Sequence, residues 1–202
     1  MELDIEKNKR EFISIYKNYI KREGADELLE YLEKTDFFTA PASQRYHLCC
    51  AGGLCQHSIN VFNRLAEEVF HEFGNFDTIS EESIAICGLL HDVCKVDFYS
   101  VEYRNVKENN EWVKKPVYVV DEKLPYGHGE KSVYIINGFM RLSREEALAI
   151  NWHMGGFDAR VKGGSFAMGE WFYKSPLAVL IHLADMKATY LDEHSKNYEK
   201  KD

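Results

Sequence analysis

Apolar residues recur at three- and four-residue spacing through most of this chain, and only between 98 and 120 do they alternate one by one. That change of period constrains the fold more than any composition figure. A period near 3.6 marks helices that bury one face, and a period of two marks strands. Phe12, Ile15, Tyr16, Tyr19 and Ile20 set the first helical stripe, Gly24 interrupts it, and Leu28, Leu29 and Leu32 continue it. Thr39-Ala40-Pro41-Ala42-Ser43 reads as a loop. After Gly52-Gly53 a long helix places Ile59, Phe62, Ala66, Val69, Phe70 and Phe73 on its buried side and stops at Gly74-Asn75.

A further helix starts near Ser80, with Glu81 and Glu82 favourably placed in its first turn. Ile84, Cys87, Gly88 and His91 share one of its faces. Tyr99, Val101 and Tyr103 then alternate, a polar Glu108-Asn109-Asn110-Glu111 turn follows, and Val113, Val117 and Val119 resume the alternation. This is a β-hairpin inserted into a helical protein. Helical spacing returns from about Gly129 to Met140, and Ser143 with Glu146 forms a capping box for the helix carrying Ala149, Trp152 and His153. Gly155, Gly156, Gly163, Gly164 and Gly169 mark an irregular loop, and Pro176 opens a last helix through Leu177, Ile181, Ala184 and Asp185. The expected fold is all-α with a small β-hairpin at about residues 98–120. Residues 1–202 are expected to form one domain, with helices of 1–40 packed on a core of 43–190.

The chain has 202 residues, 45% of them hydrophobic, which excludes a mostly disordered polypeptide and suits one domain. No apolar run approaches the roughly 17 residues of a spanning helix; the best, Pro176 to Ala184, is broken by His182. The start, MELDIEKNKREF, is charged where a signal peptide is apolar. A cytoplasmic protein with no membrane partner is expected. The net charge of −8 argues against a long nucleic acid as partner. It leaves room for a small phosphorylated substrate, above all a nucleotide, held by a metal or a few local cations. Cys49, Cys50, Cys55, Cys87 and Cys94 form no CxxC pair and read as small buried apolar residues, not as a zinc knuckle or disulfide framework.

His91 and Asp92 are adjacent at the end of an apolar helix, where two neighbouring side chains can converge on one ion. Imidazole with carboxylate suits zinc, manganese, iron or cobalt. His57 follows the Gly-Gly turn, His128 is flanked by Gly127 and Gly129, and His153 ends an apolar helix. Asp185 sits within an apolar helix, where a carboxylate is costly to bury unless paired or metal-bound. Each of these alone has a plainer reading as a core histidine, a cap or an ion-pair partner.

In the order His57, His91-Asp92, His128, His153, Asp185, within GGLCQHSINV, LLHDVCKVD, GHGEKS, NWHMGG and HLADMKAT, these residues resemble the HD-domain superfamily of metal-dependent phosphohydrolases. The resemblance covers residues 45–188. It implies a helical HD bundle in which His57, His91, Asp92 and Asp185 bind a first metal. It further implies that His128 and His153 hold a second, with Asp92 bridging the two. This is the dinuclear branch, as in HD-GYP cyclic-dinucleotide phosphodiesterases and certain HD-domain 3′→5′ exoribonucleases. The GYP tripeptide does not follow the doublet, so cyclic di-GMP is not the expected substrate, and the exoribonucleases' OB domain is not found in this sequence.

Elementary chemistry agrees: two cations about 3.5–4 Å apart lower the pKa of a bridging water and neutralise phosphoryl charge. The expected activity is therefore cleavage of a phosphoester bond in a nucleotide or short oligonucleotide by a metal-activated water. Two divalent ions (Mn, Fe, Co, Ni, Zn or Mg) are implied, with Asp92 and Lys95 as catalytic residues. Lys95, four residues after His91, reaches a substrate phosphate or else answers the helix dipole. Arg45 and His47 contact substrate or shape their loop, and Arg160 and Lys162 hold a second phosphate or are solvated. His182 either orients Asp185 or is a satisfied core histidine; His71 and His194 have no functional context. The hairpin covers the site or pads the bundle. Two rivals use the same residues: a mixed-valent di-iron oxygenase of the HD type, and a non-catalytic metal- and nucleotide-binding module. The many aromatic residues leave a homodimer open.

Overall fold

The structure is a computed structural model and describes residues 3–108 and 110–193; Asn109 of the expected turn and His194 lie outside the described residues. Helix α1 (Ile5–Tyr19) starts at Asp4, whose carboxylate accepts the Lys7 amide at 2.9 Å, and buries Phe12 and Tyr16. Helix α2 (Ala25–Lys34) buries Leu28, Leu29 and Leu32. The Tyr16 hydroxyl donates to the Ala25 carbonyl at 2.8 Å and ties the two helices together. Helix α3 (Gly53–Phe73) and helix α4 (Glu81–Leu90) follow, the latter capped by the Ser80 hydroxyl. Strands β1 (Tyr99–Glu108) and β2 (Glu111–Val120) pair antiparallel, Tyr99 opposite Val120.

Beyond the hairpin come α5 (His128–Asn137) and α6 (Arg144–Trp152), the second starting at Ser143 with both hydrogen bonds of the capping box. The glycine-rich stretch is more ordered than its sequence suggests: short helical turns α7 (Ala159–Lys162) and α8 (Ala167–Phe172) occupy it. Helix α9 (Pro176–Lys187) runs into a π turn over Ala188–Asp192. The architecture is all-α with one small inserted hairpin, as the change of period predicts. No helix among the described residues is long and apolar enough to cross a membrane.

Helix α3 packs on α4 and α9, α6 packs on α9 and α5, and α1 lies over α3 and α4. One continuous set of buried side chains fills the space between them, from Phe12 through Leu54 and Leu89 to Ile150 and Ala184. Central position explains why α4 is apolar all round, every residue from Ile84 to Leu90 being buried. Each fully buried leucine or isoleucine there contributes about 1.5–3 kcal/mol relative to exposure. The buried stripe of α3 runs through Leu54, Val61, Leu65 and Val69, which turns Phe70 outward. Phe70, expected inside, is 57% exposed and leans on Phe76. Of the cysteines, Cys55, Cys87 and Cys94 are buried as expected, whereas Cys49 is exposed and Cys50 half-buried; all five are free thiols.

Two glycines set the helix spacing that matters below. A Cβ on Gly88 of α4 would stand 2.5 Å from the Phe62 Cα of α3, and one on Gly129 of α5 would stand 2.3 Å from the Asn151 carbonyl oxygen of α6. Only glycine lets these backbones approach so closely. The first contact lies between the helix that carries His57 and the one that ends at His91, the second between the helix that starts at His128 and the one that ends at His153.

Candidate metal centre

His57 lies one turn into α3 and Asp185 near the end of α9. Helix α4 stops at Leu90, His91 is its C-cap, and Asp92 leaves the helix with φ −107° and ψ 17°. A 3-10 turn over Val93–Lys95 follows. Convergence of the doublet thus comes from the helix break. Lys95 correspondingly reaches the site from the 3-10 turn, three residues after Asp92, not along a helical face shared with His91. His128 is the first residue of α5 and His153 the C-cap of α6.

The two oxygens of Asp92 face different histidines. Oδ2 lies 3.5 Å from both His57 Nε2 and His91 Nε2, which are 3.3 Å apart, and Asp185 Oδ1 is 3.3 Å from His57 Nε2. Oδ1 lies 2.8 Å from His128 Nε2 and 3.6 Å from His153 Nε2. Ligand atoms held about 2.0–2.1 Å from a tetrahedral ion stand about 3.3–3.4 Å apart. The four spacings around His57 and Asp92 Oδ2, 3.3–3.5 Å, come close to that, and the two around Asp92 Oδ1 bracket it.

The other ring nitrogens are already committed. His57 Nδ1–H donates to Glu193 at 2.9 Å, His91 Nδ1–H to the Gly88 carbonyl at 3.0 Å, and His153 Nδ1–H to the Ile150 carbonyl at 2.6 Å. Acceptors at Nδ1 fix the tautomer and turn each Nε2 lone pair inward, as metal-ligating histidines require. His153 Nε2 is buried with no hydrogen-bond partner at all. A lone pair left so is available to an ion.

Charge points the same way. Lys95 is paired with Asp92, whereas Asp185 and Glu193 are paired with His57. Burial pushes the His57 pKa down, but Glu193 and Asp185 outweigh it and raise it to about 10. Burial likewise opposes the charge on His128, yet Cys94 and Asp92 raise it to about 10. Protons are drawn to where cations would sit. His91, with burial prevailing over Asp92, falls to about 3 and stays neutral. Asp185 is held well below the carboxylate range because His57 outweighs its burial. The residues present fit divalent metal ions. No protein-family model, curated protein or solved structure matches the chain.

Two neighbours were not legible as site residues. Glu193 holds His57, and its carboxylate also accepts from Asn60 at 2.9 Å. It lies in a charged C-terminal stretch with no motif, but the spacing Asp185, Thr189, Glu193 puts it one and two turns along the same helix face; Thr189 Oγ1 donates to Asp185 at 3.3 Å. Cys94 lies with its sulfur 3.4 Å from His128 Nδ1, a contact that no local pattern announces.

The remaining expected residues divide. Lys95 Nζ donates to Asp92 Oδ2 at 2.5 Å, and its side chain is nearly buried. The His47 ring lies 4.8 Å from that of His57, tilted by 45°, with Nε2 buried and unpaired. Burial, reinforced by His57 and Lys95, lowers its pKa to about 4, so the ring is neutral. Arg45 is exposed on the same loop. Arg160, expected to hold a phosphate, has its donors taken by Asp158, Glu130 and Asn151 and lies over Trp152 at 3.8 Å. Lys162 stands over Phe157 at 5.7 Å. His182 does not reach toward Asp185: its Nδ1–H donates to the His153 carbonyl at 2.7 Å. His71 is exposed on α3. A cavity of about 730 Å³ lies elsewhere, between Tyr31, Lys123, Tyr134 and Phe139, and none of the candidate ligands lines it.

Proposed function

We propose that the protein is a metal-dependent phosphohydrolase of the HD type, acting on a phosphoester of a nucleotide or short oligonucleotide. The observation that carries this reading is the division of Asp92, one carboxylate oxygen toward His57 and His91 and the other toward His128 and His153. His57, His91, Asp92 and Asp185 would hold one ion, and Asp92, His128 and His153 a second. Bound there, two divalent ions supply an acidified water and neutralisation of phosphoryl charge.

The chain's own residues supply the rest. Lys95, kept protonated because Asp92 outweighs its burial, places an ammonium beside Asp92 for a phosphoryl oxygen. His47, neutral and with an unpaired Nε2, offers a hydrogen-bonding ring beside His57. Arg45 adds a positive charge on that loop. Arg160 ties the segment after His153 to α5 through Glu130 and leaves the phosphate to Lys95. Glu193 and the carbonyls of Gly88 and Ile150 keep three imidazoles aimed inward.

The test is a screen of monoester, diester and nucleotide hydrolysis with manganese, cobalt, nickel, iron, zinc and magnesium. Chelator-sensitive turnover is expected with at least one ion. Oxygen uptake by the iron-loaded protein, without phosphoester cleavage under any metal, would replace this reading with the oxygenase.

A further inference from the structure

The two faces of the hairpin differ in chemistry in a way the core does not require. Residues directly opposite in an antiparallel ladder share a face. The register therefore puts Tyr99, Tyr103, Trp112 and Tyr118 on one face together with Lys107 and Lys114. Lys114 Nζ stands 5.9 Å from the centre of the Tyr103 ring. No acidic residue belongs to that face; Glu102, which accepts from Arg104 at 2.9 Å, and Glu111 lie on the other. In a chain of net charge −8, four rings and two lysines without an acid are a local reversal.

The two outer rings do not pad the bundle, while Tyr99 and Tyr118 are half-buried. Tyr103 is 64% exposed and Trp112 71%, on an arm whose outer half is open to solvent. Only the base is anchored: the Asp121 amide donates to the Phe98 carbonyl at 2.9 Å, and buried Lys131 donates to Glu122 at 2.7 Å while lying 5.1 Å over the Phe98 ring. At that base Tyr99 and Tyr118 meet edge to face at 6.4 Å. Strand β1 starts at Tyr99, four residues after Lys95 of the 3-10 turn. The aromatic face thus begins close in the chain to Lys95 and Asp92 and leads away from them.

We propose that this face is a track for a short single-stranded oligonucleotide, with bases stacked on the four rings and phosphates beside Lys107 and Lys114, delivering one strand end to Asp92 and Lys95. Exposed rings beside cations are what unpaired strands bind, and here both lysines lie at the outer end, next to Trp112. From Tyr99 to Lys107 the strand extends about 26 Å, in keeping with the lower end of single-strand site sizes, about four nucleotides. The acidic remainder of the protein disfavours a longer polymer. What happens at the strand end rests on the phosphohydrolase reading; the binding itself does not.

The experiment is fluorescence anisotropy of the full chain, metal-free in chelator, with fluorescein-labelled hexanucleotides of single-stranded RNA and DNA. Binding is expected, and Tyr103→Ala with Trp112→Ala, or Lys107→Glu with Lys114→Glu, should weaken it by about tenfold or more. Glu111→Gln, on the other face, should leave it unchanged. Circular dichroism checks that these exposed substitutions keep the fold. No binding, or equal binding by all variants, overturns the track. So does loss of self-association in sedimentation by the same variants without an effect on the oligonucleotide, which would make the face an interface between two copies. Wild-type hydrolysis of a small chromogenic diester is measured in parallel. Its absence with every metal, beside intact face-dependent binding, would end the hydrolase reading and leave the track standing.

Discussion

The carboxylate of Glu193 lies 2.9 Å from Nδ1 of His57, joining residues 136 positions apart in the chain. Both are buried, Glu193 at 8% exposure and His57 at 1%. The contact sets the direction of the His57 lone pair and raises the basicity of the ring. Glu193→Gln keeps the shape but gives up the charge, and should weaken metal binding about 10–100-fold. Competition against a chelator of known affinity measures this. Unchanged affinity in a folded variant would make the contact structural only.

Gly88→Ala and Gly129→Ala should each separate one helix pair. Added methyl groups meet backbone atoms at 2.5 Å and 2.3 Å, and backbone does not swing aside as a side-chain tip does. Overpacking of this kind costs about 1–3 kcal/mol. Urea unfolding should show that loss for both. Metal titration of the folded proteins should show Gly88→Ala weakening the His57–His91 site and Gly129→Ala the His128–His153 site.

Lys95→Ala should reduce kcat/KM by about 10²–10³ with metal content kept. Among the described residues, no other lysine or arginine pairs directly with a candidate ligand. Steady-state kinetics together with elemental analysis separates this outcome from simple loss of an ion.

Acid sensitivity should come partly from Glu146, far from the metal ligands. Burial raises the pKa of this carboxyl, but Arg22 at 2.8 Å, the Ser143 amide and the Ser83 hydroxyl hold it below the usual range. A carboxyl depressed on folding stabilises above its unfolded pKa of about 4.3, and that stability is lost as pH falls through the folded value. The urea midpoint should therefore drop below about pH 4. Glu146→Gln should flatten the drop while costing about 2–3 kcal/mol at neutral pH, less than a fully buried pair because Arg22 is 24% exposed.

Helix positions were legible because apolar spacing and caps are local: Ser80, Ser143 and Ser175 each accept the amide expected of an N-cap. The hairpin was legible from alternation. The side to which Phe70 turns was not, since a stripe one residue out of phase fits the same pattern. His57, His91, Asp92, His128, His153 and Asp185 stand out because each is a polar residue on or beside an apolar helix. Glu193 does not, being one acid among several in a polar stretch, and Arg160 gives no hint that Glu130 and Asp158 already occupy it. Partners brought in by tertiary packing leave no trace in local spacing.

On the proposed reading, Asp92 stands between two ions. Anomalous scattering from crystals of the manganese-saturated protein tests it most directly. The expected result is two peaks about 3.5–4 Å apart, one beside His57, His91 and Asp185 and one beside His128 and His153, with His128→Ala keeping only the first. A single peak in the saturated wild-type protein would contradict the claim and return His128 and His153 to contact with substrate.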